Sequence, residues 1–419
     1  MAMLRAPFLV RALSHSPRNL CITWKDGVES VFPNAWLRSN VRDDRYFDKS
    51  MTYNYDHLSF VKQDAPITSA GQQDNVSVKV RWEDHTSDFD TSWLRAQDIA
   101  NAPKNKENLE LELWDHSLNI PEYAYLDRGN ELTSWMRDLK KYGIILVNGV
   151  PRSEKGFKDV MHMIGPLRRR YHPTDILRLE AGNAKYKAVD PTAYGNIQLT
   201  AHIDHTYLQS PAKIIGFLCV NYNAPEKDTV SYFANSIRVA EDLRKSDPEA
   251  FHILSSTAFR RARRRIGVEE DCDPSEERIY DWDTYLDSPV IVVSNGEVKM
   301  VRSSPVQNSG HALGSYDGDH ISKFYSAYSK FVEMLESPKY HVKMPLKPGS
   351  MLVFDNHRLV HGRSEIYPST SRTLLIGFIH EETWDSRWRI LLGQQSGIAN
   401  KWLFGCSGKS LEILSQRMD

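Results

Sequence analysis

Ile197-Gln198-Leu199-Thr200-Ala201-His202-Ile203-Asp204 alternates apolar and polar side chains and ends in a His-x-Asp pair. On an extended segment, residues two apart leave the chain on one face, so His202 and Asp204 can grip the same ion. A matching phrase lies toward the C-terminus. Leu346-Lys347-Pro348-Gly349-Ser350 reads as a turn and Met351 to Phe354 as a buried strand, followed by Asp355-Asn356-His357-Arg358-Leu359-Val360-His361-Gly362-Arg363. With His361, two imidazoles and one carboxylate would occupy one face of a metal and leave three positions open, a donor set suited to non-heme iron(II). An isolated His-x-Asp is more often a satisfied histidine beside a surface aspartate; the second segment gives it chemical meaning.

Arg372 stands 11 residues past His361, opening the strand Thr373 to Ile379. One strand then holds the last ligand while the next sends a guanidinium into the same cavity. That planar fork pairs bidentately with carboxylates and suits a dicarboxylate; the plain alternative is a surface ion pair.

The chain has 419 residues, enough for a large core and two domains. Its 53 basic and 54 acidic residues leave a net charge of −1, which points to neither nucleic acid nor an anionic membrane surface as a partner. No apolar run approaches the ~20 residues that span a bilayer. Cys21, Cys219, Cys272 and Cys406 form no Cys-x-x-Cys pair, which fits a reducing compartment, the cytoplasm first and the mitochondrion as alternative. For the second, residues 1–18 hold Arg5, Arg11 and Arg18 without an acid, as a targeting presequence would; the other reading is a first β-strand opening at Phe8-Leu9-Val10.

Residues 1–100 read as a small β-domain containing a partial echo. Cys21-Ile22-Thr23-Trp24 runs into the turn Lys25-Asp26-Gly27, and Val76 to Trp82 runs into Glu83-Asp84-His85; Trp36-Leu37-Arg38 is answered by Trp93-Leu94-Arg95. Polar residues 101–110 serve as a linker. Residues 111–419 form the larger domain, with helices expected at 132–142, 155–164, 235–255 and 320–336. Strands are expected at 143–147, 197–202, 213–220, 289–293, 351–354 and 373–379. Strands carrying metal-type residues, interrupted by helices, suit a double-stranded β-helix (jelly roll) with helical support, in a chain of α+β, mainly β, class.

At these residues the chain resembles the γ-butyrobetaine and trimethyllysine hydroxylases, over nearly its whole length. Trp36-Leu37-Arg38-Ser39-Asn40 is similar to their Trp-Leu-Arg-Asp-Asn. Thr200 to Tyr207 resembles the iron-binding segment of the trimethyllysine enzymes, and Asp355 to Arg363 resembles Asp-Asn-Trp-Arg-x-x-His-Gly-Arg. The resemblance implies an Fe(II)- and 2-oxoglutarate-dependent oxygenase in which His202, Asp204 and His361 bind iron and Arg372 binds the distal carboxylate of 2-oxoglutarate. The co-substrate would be decarboxylated to succinate and CO2 while O2 oxidises a C–H bond of a small substrate. Ascorbate as a stimulant and a homodimer are further implications.

Three departures bear on the substrate. The family's zinc cysteines are replaced by Val41-Arg42-Asp43-Asp44-Arg45-Tyr46, so no structural zinc is expected, and His85 alone cannot hold one. Tyr194 and Tyr171 match positions of an aromatic cage for a trimethylammonium, or are plain core aromatics; Asp175 stands where the cage has a tryptophan, and His205 replaces another aromatic. The family's Pro-Gly-x-Gln is here Pro211-Ala212-Lys213-Ile214, and Lys213 either faces a carboxylate in the pocket or snorkels to solvent. Asn308 falls near a substrate-contacting asparagine. The run Arg260 to Arg265 either guides an anion or forms a solvated face. These changes point to a small amino-acid-like or betaine substrate, with desaturation or oxidative cyclisation of an amino acid as the alternative course and a non-catalytic scaffold as the contrasting class.

Overall fold

The computed structural model describes residues 9–41, 47–48, 53–54, 65–74, 76–98, 111–168, 175–181, 196–265, 282–305, 308–310 and 315–396. The chain divides into two compact units, Met1–Asn108 with Trp388–Asp419, and Leu109–Arg387.

In the first unit the sequence echo is a structural repeat. Val10–His15, Asn19–Trp24 and Glu29–Pro33 form one antiparallel sheet ahead of the helix Asn34–Ser39; Ser69–Gln72, Ser77–Arg81 and Thr86–Asp90 form another ahead of Thr91–Gln97. Alternate residues of both central strands (Leu20, Ile22 and Trp24; Val78 and Val80, with Trp82 just beyond) meet in one apolar core. The repeats are locked reciprocally. Arg38 donates two hydrogen bonds to Asp84, at 2.9 and 2.7 Å, with its guanidinium over the Trp82 ring. Arg95 reaches Asp26 at 3.3 Å with its guanidinium over Trp24. Each arginine thus closes on the hairpin turn of the other repeat. His85 stacks on Trp82; residues 42–46, in the stretch expected to lack zinc cysteines, lie outside the described residues. Val10–His15 pairs with Asn19–Trp24, so this part of the Arg-rich stretch is a first strand; residues 1–8 lie outside the described residues.

The second unit is a double-stranded β-helix. A six-stranded sheet has the order Leu177–Glu180, Ser371–Ile379, Ile214–Asn223, Met351–Asp355, Ile144–Asn148 and Glu122–Ala124; a four-stranded sheet has the order Leu199–His202, Leu359–Arg363, Ser231–Asn235 and His341–Met344. Side chains of both sheets, among them Ile215, Phe217, Leu352 and Phe354 from one and Phe233 and Leu359 from the other, form one buried cluster. The other face of the smaller sheet (Ala201, Tyr232, Ala234, Val360) packs on the helices Ser236–Ser246, Pro248–Ser256 and Gly318–Leu335. On the larger sheet, Gly216 pairs with Gly377 across two strands. A Cβ on Gly216 would come within 2.5 Å of Met161, and one on Gly377 within 2.7 Å of Phe157, so this pair of glycines lets the helix Glu154–Ile164 approach the sheet.

Two expectations are corrected here. The single helix at 235–255 is two helices, because Pro248 lacks the N–H that continues a helix and starts a new one, capped by Asp247 through Ala250 N–H. The arginine run is the strand Phe259–Arg265, with alternating fates. Arg260 and Arg264 pair with Asp287 and Asp283 of the neighbouring strand, each at 2.6 Å; Arg261 is fully buried and donates to the Phe259 and Ser288 carbonyls. It is neither wholly a solvated face nor a free anion guide.

Candidate iron and co-substrate site

Strand pairing brings the two histidines together. The edge strand Leu199–His202 runs antiparallel to Leu359–Arg363, with His202 directly opposite His361 and their rings 4.4 Å apart. Ile203 turns to the opposite, apolar face, so His202 and Asp204 share the inner one, with His202 Nε2 3.7 Å from Asp204 Oδ1. Ligand atoms of His202, Asp204 and His361 all lie within 4.8 Å of one another, the one such group among the described residues.

The imidazoles are prepared for a cation. His202 Nδ1–H donates to the Thr200 carbonyl at 2.8 Å, which orients the ring with Nε2 toward Asp204. His361 is enclosed by Phe217, Phe233 and Phe354. Burial, and then the proximity of His202, hold its pKa well below the ordinary histidine value, so the ring stays neutral. Its Nδ1 is buried without a hydrogen-bond partner. Two imidazoles beside a carboxylate, one of them neutral and with an orphaned nitrogen, fit a bound divalent metal better than a hydrogen-bonded cluster.

Arg372 enters from the larger sheet, opposite Tyr222, and reaches the smaller one, where Nη2 donates to Ser231 Oγ at 3.3 Å. It is buried, and no carboxylate among the described residues pairs with it. Burial lowers its pKa and, together with Arg372, lowers that of Arg363 to about 10. Two buried guanidiniums with Arg372 unneutralised make a place for an anion, and a 2-oxoglutarate carboxylate fits that charge.

The motif after the buried strand builds the surroundings. Asp355 pairs with Lys213 at 3.0 Å and accepts from His357 N–H. Asn356, fully buried, bonds both main-chain groups of Asp204. His357 Nε2–H donates to the Pro211 carbonyl. Arg358 closes the C-terminus of the helix Arg128–Tyr142, donating to the carbonyls of Lys140 and Lys141. Gly362 is required because a Cβ there would fall 2.3 Å from the Tyr232 ring.

Other sequence candidates are placed as follows. Lys213 is 12% exposed and turns to Asp355, so the snorkelling reading fails: the strand sends its side chain inward, where a carboxylate offsets its charge. Asp175 pairs with Lys158 at 3.4 Å. His205 has φ +68° and its ring lies 4.7 Å from Phe378, so the chain bends sharply just past Asp204. Tyr171 and Tyr194 lie outside the described residues, as does the side chain of Asn308. Sequence reading missed Asn356 and Arg302. The latter is buried and donates to the carbonyls of Thr206, Leu208 and Gln209; the signal for Asn356 was its place in the Asp-Asn-His-Arg motif, whereas Arg302 had none.

Such a fold with such a site defines the iron(II)- and 2-oxoglutarate-dependent oxygenases acting on small molecules. Within that class, residues 106–377 match the model of the taurine catabolism dioxygenase TauD, TfdA family, and the chain belongs to that family. Residues 11–96 match the γ-butyrobetaine hydroxylase-like N-terminal domain. The chain is 27% identical over 393 residues to the γ-butyrobetaine dioxygenase of Pongo abelii, covering 89% of this chain and 94% of that one. It is 24% identical over 402 residues to the trimethyllysine dioxygenase of Meyerozyma guilliermondii, with coverage of 89% and 94%. A crystal structure of an asparagine oxygenase in complex with Fe(II), hydroxyasparagine and succinate shares 17% identity at a TM-score of 0.44, over 60% of this chain and 78% of that one. No helix among the described residues is long and apolar enough to cross a membrane.

Proposed function

We propose that His202, Asp204 and His361 hold the iron(II), that Arg372 binds the distal carboxylate of 2-oxoglutarate, and that the prime substrate is a small amino acid or betaine oxidised at a C–H bond. The observation that carries this reading is Arg372, a buried cation with no carboxylate partner among the described residues, in the same unit as a His-Asp-His group on the adjoining sheet. Iron, when bound, supplies the O2 activation. The protein's part is to present two imidazoles and a carboxylate, to anchor the co-substrate at its far end, and to keep water out with Phe217, Phe233 and Phe354. The names of the relatives support a substrate that carries a cationic nitrogen and a carboxylate. Of the residues proposed to meet it, Tyr171, Tyr194, His205 and Asn308 remain candidates, while Asp175 and Lys213 already have Lys158 and Asp355 as partners.

Adding Fe(II) and 2-oxoglutarate without oxygen tests the site. The parent should develop a weak visible charge-transfer band, and His202→Ala should abolish it; a parent without the band, or a variant that keeps it, sinks the reading. A screen of amino acids and betaines for succinate coupled to product then selects the substrate. Slow turnover of trimethyllysine and γ-butyrobetaine beside fast consumption of a simple amino acid would exclude the betaines.

A further inference from the structure

Asp204 sits where the chain leaves its strand, and nothing in strand pairing holds it. The next residue, His205, has φ +68°, a left-handed conformation that non-glycine residues seldom adopt. A carboxylate at such a corner needs its backbone fixed from outside. Asn356 does this with both ends of one amide. Its Oδ1 accepts from Asp204 N–H at 2.9 Å; its Nδ2 donates to the Asp204 carbonyl at 3.1 Å and to the Ala212 carbonyl at 3.0 Å. The amide is fully buried. It precedes the strand Leu359–Arg363 that carries His361, so one short segment positions the carboxylate and supplies the second imidazole. Beyond the corner, Arg302 holds three carbonyls of residues 206–209.

We infer that Asn356 is the positioning residue of the iron site: it fixes Asp204 against His361 and acts on metal affinity through the backbone, without touching metal, co-substrate or substrate. The inference rests on the assignment of His202, Asp204 and His361 as iron ligands. Replacing groups that orient metal ligands costs about 10–100-fold in metal affinity.

The experiment is an anaerobic Fe(II) titration of the full chain at saturating 2-oxoglutarate, followed by the charge-transfer band, with thermal unfolding recorded alongside. Asn356→Ala should weaken Fe(II) binding by about 10–100-fold. At saturating iron its KM for 2-oxoglutarate should match the parent's, because Arg372 is untouched. Ser236→Ala, which removes an equally buried hydrogen bond from Ser236 to the Arg358 carbonyl, should lose stability but keep the parent's iron affinity. If Asn356→Ala does not fold, Asn356→Asp replaces it; the carboxylate still accepts from Asp204 N–H but cannot donate to the two carbonyls, and an intermediate loss is expected. Iron affinity within twofold of the parent in either folded variant overturns the inference, as does an equal loss in Ser236→Ala. A parent without the band refutes the ligand assignment instead, so the two failures are distinguishable.

Discussion

Arg38 and Arg372 are both buried arginines, and they have opposite surroundings. In the N-terminal unit Arg38 meets Asp84 through two hydrogen bonds and lies over Trp82, and Arg95 repeats the arrangement with Asp26 and Trp24. In the oxygenase unit Arg372 has the hydroxyl of Ser231, at 3.3 Å, and no carboxylate among the described residues. A buried charge is tolerated when it is paired, or when its partner arrives from solution. The first pattern marks an arginine that holds a fold together. The second is the pattern on which the proposed co-substrate role of Arg372 rests.

Mutations at these arginines should therefore separate stability from chemistry. The largest effect is expected for Arg372→Met: 2-oxoglutarate binding should weaken by about 2–5 kcal/mol, roughly thirtyfold or more, with a melting temperature no lower than the parent's. Affinity close to the parent's would break the contrast, because Arg372 would then be another structural arginine. Arg38→Met should do the reverse. Urea unfolding followed by tryptophan fluorescence should show a loss of about 1–2 kcal/mol, since Asp84 is partly exposed, and KM and kcat should hold. The smallest effect concerns pH. Hydrogen bonds from Arg38 hold the Asp84 carboxyl below the usual aspartate value. A depressed folded-state pKa gives stability that is present above the unfolded pKa and lost as pH falls through the folded one. The difference in urea midpoint between the parent and Asp84→Asn should accordingly shrink below about pH 4. A difference constant from pH 7 to pH 2 would remove the ion pair from the account.

How much was legible in the sequence differed between the two units in an instructive way. The N-terminal repeat was visible as an echo of Trp-x-Asp turns and Trp-Leu-Arg segments, but neither the short helices those segments form nor the exchange of partners between the repeats, which depends on how the two hairpins pack. In the oxygenase unit the strands Ile214–Asn223 and Ser371–Ile379 stood out as apolar runs. Ser231–Asn235 did not, being five residues long with a helix directly after it. Yet that strand supplies Ser231 to Arg372 and Phe233 to the wall around His361. The sequence allows two placements of the Lys213 side chain because its partner, Asp355, is distant in sequence and meets it only through strand pairing.

The sequence by itself determined the donor chemistry: a period-two segment ending in His-x-Asp, a second histidine after a buried strand, and an arginine at the head of the next. Those are properties of residue type and local spacing, which a single segment carries. Tertiary structure alone decided that His202 stands opposite His361, that Asn356 grips Asp204, and that Arg372, among the described residues, lacks the acid that Arg38 has. Each of these is a pairing between distant segments, and burial makes pairing, or its absence, count: once water is excluded, a polar group must find its partner in the fold or in a ligand.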